Sequence, residues 1–189
     1  MNIDRLIQAR IPDIASVYGG ARGRTMSSKH QRYAWPALVE AGIKTVIDLR
    51  AADKSDRLPD LFVEYGMHYF HYPVDNDQHI VTAMVEIFPV FCQLIDEGDF
   101  YIACAQGLHR TDIALCLYWV FYGADKGIAP PQLRGYRKDK GMTTEKIMRI
   151  LNAVYKRMAE QNENGEPPIP EDVFKQRKEV INEQNRAVG

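Results

Sequence analysis

The chain has 189 residues, enough to enclose one substantial core. Hydrophobic residues make up 46% and charged residues 26%, the balance of an ordinary globular protein rather than a disordered or fibrous one. A formal net charge of −1 excludes the overall basic field on which nucleic-acid binding draws.

No run of residues approaches the ~20 apolar positions of a membrane span. The start, MNIDRLIQARIPDIASVYGG, lacks a basic stretch followed by an apolar one, so no secretory signal is expected. Cys92, Cys104 and Cys116 are too few and too irregularly spaced for a disulfide framework or a zinc site. A reducing, cytoplasmic setting is the simplest reading of that count.

In chain order, Val17-Tyr18 opens the domain as a short strand. A helix is expected over Tyr33–Ala41, stopped by Gly42. Lys44–Leu49 is β-branched and reads as a strand, as does the aromatic stretch His68–Tyr72, which ends at Pro73. Ile80–Ile95 puts Ile80, Met84, Ile87, Phe88, Phe91, Leu94 and Ile95 on one helical face. Pro89 within it is expected to kink the helix or to mark a later start. Phe100–Cys104 is the last strand.

Thr111–Tyr122 is apolar all round from Ile113 onward, the pattern of a buried helix. Thr144–Met158 is amphipathic, with Thr143 as N-cap. Strands alternating with helices predict an α/β fold with a mainly parallel central sheet flanked by helices. Residues 1–160 are expected to form one domain. The polar, Pro-containing stretch that follows reads as a linker, and 161–189 as that linker with a charged C-terminal helix or tail. Val173, Phe174, Val180 and Ile181 are its only apolar anchors.

The segment Tyr101-Ile-Ala-Cys-Ala-Gln-Gly-Leu-His-Arg-Thr111 runs from a strand through a short loop into the buried helix. Such a loop aims backbone N–H groups at one spot, and the helix start adds partial positive charge, which together make an anion site. Cys104 begins the loop, in a setting that favours a thiolate nucleophile. Arg110 ends it, with a planar fork able to hold two phosphate oxygens. Gly107 permits a backbone conformation other residues resist, and Thr111 can donate its hydroxyl to the sulfur.

Cys104-Ala-Gln-Gly-Leu-His-Arg110-Thr111 resembles the C-x5-R-[ST] signature of the protein-tyrosine phosphatase superfamily, and Val46-Ile-Asp-Leu-Arg50 looks like the early strand of its dual-specificity members. The likeness covers roughly Ile11 to Met158. It implies the dual-specificity-like cysteine-phosphatase fold and hydrolysis of a phosphomonoester, on a protein or a small molecule, through a phosphocysteine. Ala105, Gln106, Gly107, Leu108, His109 and Arg110 would bind the phosphate. No metal or cofactor is implied. The family's general acid is an Asp on a loop upstream of the cysteine; Asp75 is the first choice and Asp77 the second.

Three positions depart from the family pattern. Ala103 stands where a His usually precedes the cysteine, Asp112 where a small residue usually follows the Thr, and the loop holds no lysine. An inositol-phosphate or phosphoinositide phosphatase of the same fold, a phosphate-binding pseudophosphatase and a rhodanese-like sulfurtransferase are the alternatives. The partners implied are a phosphorylated protein or small phosphomonoester, with no nucleic acid and no membrane span; the oligomeric state is left open.

Other polar residues carry plainer readings. Asp48 and Arg50 are expected to pair near the sheet. Arg22 and Arg24, in Gly19–Arg24, either line the phosphate site, as an Arg-containing turn does in related enzymes, or belong to a solvated loop. His68, His71 and His79 read as structural, Cys92 and Cys116 as core. His109 is as well placed for solvent as for substrate. The charge run 134–140 reads as a solvated loop.

Overall fold

The computed structural model of the chain describes residues 1–25, 28–51, 64–74, 79–134 and 144–186, and for 28–33 the backbone alone. Its elements are α1 (Ile3–Gln8), β1 (Ala15–Val17), β2 (Gly20–Arg24), α2 (Ser28–Glu40), β3 (Thr45–Asp48), β4 (His68–His71), α3 (Ile80–Glu97), β5 (Phe100–Cys104), α4 (His109–Tyr118), α5 (Thr144–Gln161) and α6 (Glu171–Arg186). The chain divides into two compact units, Met1–Asn76 with Gln93–Thr111, and Asp77–Cys92 with Asp112–Gly189.

The first unit holds a five-stranded sheet in the order β1-β2-β5-β3-β4. Of its four strand pairs β1–β2 is antiparallel; β2–β5, β5–β3 and β3–β4 are parallel. The fold is thus the mixed α/β class with a mainly parallel sheet that the alternating elements predict. β5 lies at the centre, and all five of its residues are buried. Helices α1 and α2 cover one face, where Leu6, Ala34, Trp35, Leu38 and Ala41 pack with Val46, Tyr101 and Ala103. Burial of this kind contributes about 25 cal/mol per Å² of apolar surface removed from water.

β2 is a strand where the sequence reads as a loop. Gly-Ala-Arg-Gly-Arg has no β-branched residue, but its small residues fit against the bulky ones of β5. A Cβ on Gly20 would strike the Phe100 ring, and one on Gly23 would strike the Tyr101 ring and hydroxyl. β1 ends at Val17 rather than including Tyr18, because Tyr18 (φ 49°) and Gly19 (φ 80°) turn the chain into β2.

α3 runs unbroken through Pro89, neither starting late nor stopping there. Pro89 is on the exposed side of the helix, so its ring faces away from the apolar face. Every apolar residue named for its inner face is buried. The buried run that opens α4 stays helical past Tyr118, but Trp119–Gly123 is a π turn, with Ala124 N–H donating to Trp119 O at 2.9 Å. Phe121 meets Phe88 edge-on at 5.5 Å between ring centroids, and stacks on Tyr155 and Phe174 at 6.3 and 5.9 Å.

The charged tail is an ordered helix, α6, fastened by Phe174 and Ile181. Buried Asn185 accepts from Leu133 N–H at 2.9 Å, which fixes the segment before residue 135. Thr143 and most of the 134–140 charge run lie outside the described residues. Among the described residues no helix is long and apolar enough to cross a membrane. Among them, too, no cluster of His, Cys, Asp and Glu could hold a metal ion.

Candidate active site

The C-terminal ends of the parallel strands β5, β3 and β2 meet at one edge of the sheet. Ligands of open parallel sheets bind outside such ends. Cys104 is the last residue of β5, 3% exposed, and is in register with Arg24 of β2. Asp48 of β3 stands opposite Ala103. The loop after Cys104 leaves this edge and enters α4 at His109.

The loop is built on three fixed peptide groups. The Cys104 carbonyl accepts from Thr25 N–H at 3.1 Å, the Thr25 hydroxyl at 2.8 Å and Gly107 N–H at 3.0 Å. The Gly107 and Leu108 carbonyls accept from Arg22 Nη2, at 2.9 and 3.4 Å. In a trans peptide the N–H points away from the C=O. The amides of Ala105, Leu108 and His109 are therefore turned to the side of the loop opposite Thr25 and Arg22. Oriented N–H groups of this sort, at the entry to a helix, form an anion-binding concavity.

Gly107 has φ +66°, and a Cβ there would collide with the Gly23 backbone. Of the remaining loop residues Ala105 is exposed, Gln106 and His109 are half-buried and Leu108 is buried. Arg110 is half-buried too, and its Nη1 donates to the Leu49 carbonyl at 3.4 Å. Leu49 in turn donates its N–H to Ala103 O at 2.8 Å, so one residue ties the guanidinium to the central strand. Thr111 is fully buried, and its hydroxyl has no hydrogen-bond partner among the described residues, Cys104 included.

Beside this loop Asp48, 2% exposed, accepts from Arg50 at 2.7 to 3.0 Å and from the Tyr69 hydroxyl at 2.7 Å. Burial alone would lower the Arg50 guanidinium; the bonds to Asp48 more than offset it and hold it above its usual value. Burial and then the Asp48 charge push the Tyr69 phenol up. His71 Nε2 lies 2.9 Å from the Arg50 carbonyl. The expected Asp48–Arg50 pair is present and is one part of a larger cluster. Burial, followed by the charges of Cys104, Asp13 and Asp48, likewise raises the Tyr101 hydroxyl, which donates to Arg24 O at 2.7 Å.

Asp75 and Asp77 lie outside the described residues. Asp112 is fully buried, and its Oδ2 accepts from Arg134 N–H at 3.0 Å. Arg22 is neither a solvated loop residue nor a turn; it is a strand residue, 2% exposed. Sequence reading missed Thr25 altogether. The one sequence signal for this contact is the Gly-Ala-x-Gly pattern that fits the aromatic start of β5, and it locates a strand rather than a role.

Comparison with known proteins points the same way. The family model of the PTP-SAK group, a Swiss Army Knife protein DSP-PTPase phosphatase domain, matches residues 21–182. No curated protein matches. A solved structure of a candidate phosphatase of the DUF442 group from Shewanella putrefaciens CN-32 is 21% identical. It aligns over 82% of this chain and 98% of its own, with a TM-score of 0.56. A mutant form of Tk-PTP is 16% identical over 89% of this chain and 96% of its own, at a TM-score of 0.47. The Yvh1 phosphatase domain from Chaetomium thermophilum is 15% identical over 92% and 96%, at 0.41. With its mainly parallel sheet and a family match over most of its length, the chain belongs to the PTP-SAK family of DSP-PTPase phosphatase domains.

Proposed function

We propose that the chain hydrolyses phosphomonoesters through a phosphocysteine at Cys104. The observation that carries this reading is the orientation of the loop. Thr25 and Arg22 occupy the carbonyls of Cys104, Gly107 and Leu108, which leaves three amides turned to the opposite side of a loop bounded by Cys104 and Arg110. That is a cradle for a tetrahedral oxyanion with a nucleophile at one end and a guanidinium at the other.

In the first step the Cys104 thiolate attacks phosphorus in line. The S–P bond forms as the ester P–O bond breaks, and the leaving oxygen takes a proton from Asp75 or Asp77. Arg110 and the loop amides hold the three equatorial oxygens as the phosphorus becomes trigonal in the transition state. In the second step water attacks the phosphocysteine and gives its proton to the same carboxylate. The S–P bond breaks and the thiolate departs with inorganic phosphate. The Thr111 hydroxyl, buried and with no hydrogen-bond partner among the described residues, is the donor in this reading to that departing sulfur.

The test is release of phosphate from p-nitrophenyl phosphate in the presence of a chelator. Wild-type protein is expected to turn over and Cys104→Ser to be inactive. Arg110→Lys should lose about 10²-fold or more, because an ammonium cannot replace the planar fork. Turnover that survives in Cys104→Ser would refute the mechanism. A phosphate-binding protein without turnover, the pseudophosphatase alternative, would bind inorganic phosphate in a titration and release none from p-nitrophenyl phosphate.

A further inference from the structure

We propose that Arg22 is a positioning residue that holds the Cys104–Arg110 loop in its anion-binding form; its activity readout rests on the phosphatase reading, its binding readout does not. Arg22 stands in the middle of β2, on a strand next to the one that delivers the cysteine. It is 2% exposed, yet its guanidinium donates to the main-chain carbonyls of Gly107 and Leu108, residues far along the chain.

A buried guanidinium is costly to desolvate, so its placement asks for a return beyond packing. The return here is directional. Bonds from a charged donor are stronger than neutral ones. Two consecutive carbonyls accept from the same Nη2, which fixes two consecutive peptide planes. Their N–H groups, those of Leu108 and His109, are thereby turned to the other side of the loop. Without Arg22 those planes are free to rotate, and a carbonyl turned into the cradle would repel an oxyanion instead of binding it.

The neighbours reinforce the same geometry. Gly23 is next to Arg22, and its carbonyl lies against Gly107, which limits how far the loop can shift. Thr25 holds the Cys104 peptide from the same segment of chain. Residues 22 to 25 thus secure both ends of the turn. The charge of Arg22 also sits behind the loop, on the side away from the amides, and adds to the field that attracts a dianion.

A residue that only stabilised the fold would give a different result from one that orients the cradle. The probe is tungstate, a tetrahedral oxyanion, titrated into wild type, Arg22→Met and Arg22→Lys well below each protein's melting temperature. The same proteins are assayed for kcat and KM on p-nitrophenyl phosphate. Arg22→Met is expected to weaken tungstate binding about tenfold or more and to lower kcat/KM in parallel, in protein that is folded by circular dichroism. Arg22→Lys should recover part of the loss, since an ammonium supplies charge without the rigid fork.

Tungstate affinity and kcat/KM within twofold of wild type in folded Arg22→Met would overturn the proposal. If Arg22→Met does not fold, Arg22→Lys decides. Wild-type tungstate affinity in that variant overturns the idea, and a loss of several-fold supports it. A wild-type protein that binds tungstate but hydrolyses nothing would defeat the phosphatase reading while leaving the Arg22 comparison intact. A wild-type protein that binds neither tungstate nor phosphate would defeat both.

Discussion

The α-carbon of Gly107 lies so close to the carbonyl oxygen of Gly23 that no side chain fits between them. Gly107 also has φ +66°, where a Cβ is strained in any surroundings. Gly107→Ala is therefore expected to push the loop off β2 as well as to strain it. The strain alone costs about 1–3 kcal/mol. Thermal melting should show the lost stability, and tungstate titration a weaker anion site. A Gly107→Ala protein with wild-type affinity and melting temperature would contradict this account.

Asp48 is the acceptor for both Arg50 and Tyr69 at the end of β3. Its side chain is 2% exposed and that of Arg50 12%. Removing the carboxylate leaves a partly buried guanidinium and phenol without their partner. Asp48→Ala should cost about 3–5 kcal/mol in urea unfolding. Asp48→Ala combined with Arg50→Met should cost less than Asp48→Ala alone, because the orphaned charge is gone. Additive losses would show that the pair is not coupled.

The strands β3 and β5 were legible because Thr45-Val46-Ile47 and Phe100-Tyr101-Ile102 are β-branched or aromatic and bounded by Gly42 and Gly98. The Cys104–Arg110 loop was legible because its residue types and spacing are local. β2 was not. Its glycines lower strand propensity, and they are tolerated only because Phe100 and Tyr101 fill the space beside them. Arg22 stays open in the sequence between a turn lining the phosphate site and a solvated loop for the same reason, and its carbonyl partners lie 85 and 86 residues away. The Asp48–Arg50 pair could be read from alternation along one strand, whereas Tyr69 joins it only through the β3–β4 pairing.

Tyr101 is among the largest fully buried side chains and is pushed above the ordinary tyrosine value of 10, as is Tyr69. Folded protein keeps these protons where the unfolded chain releases them. The stability they confer is fully present below about pH 10 and declines as pH rises through that value towards the folded pKa. Urea midpoints should therefore fall between about pH 9 and 11. Tyr101→Phe should flatten that fall. It also loses the bond to Arg24 O, so its stability at neutral pH should be lower. An unchanged slope in Tyr101→Phe would remove this residue from the explanation.

The tail helix α6 is held largely through Phe174, which is 3% exposed and stacks on Tyr155 with ring centroids 4.1 Å apart. Phe174→Ala should destabilise the protein by about 3–5 kcal/mol, the cost of a cavity under a helix with few other apolar anchors. Val180→Ala is the contrast. Val180 is 39% exposed, and the change should fall within about 0.5 kcal/mol. Equal effects from the two would mean that α6 is not fixed by its buried ring.

The proposed mechanism leaves Asp75 and Asp77 as alternatives for the general acid, and chemistry can separate them. A proton donor matters most when the leaving group is poor. The variant at the true acid, Asp75→Asn or Asp77→Asn, should lose about 10²–10⁴-fold in kcat on phenyl phosphate. It should lose much less on p-nitrophenyl phosphate, whose leaving group departs readily as an anion. Its rates should thus depend more steeply on leaving-group basicity than those of the wild type. The other variant should keep the wild-type slope, with rates altered by a few-fold at most. If both keep that slope, neither carboxylate protonates the leaving oxygen, and the proposed first step needs a different donor.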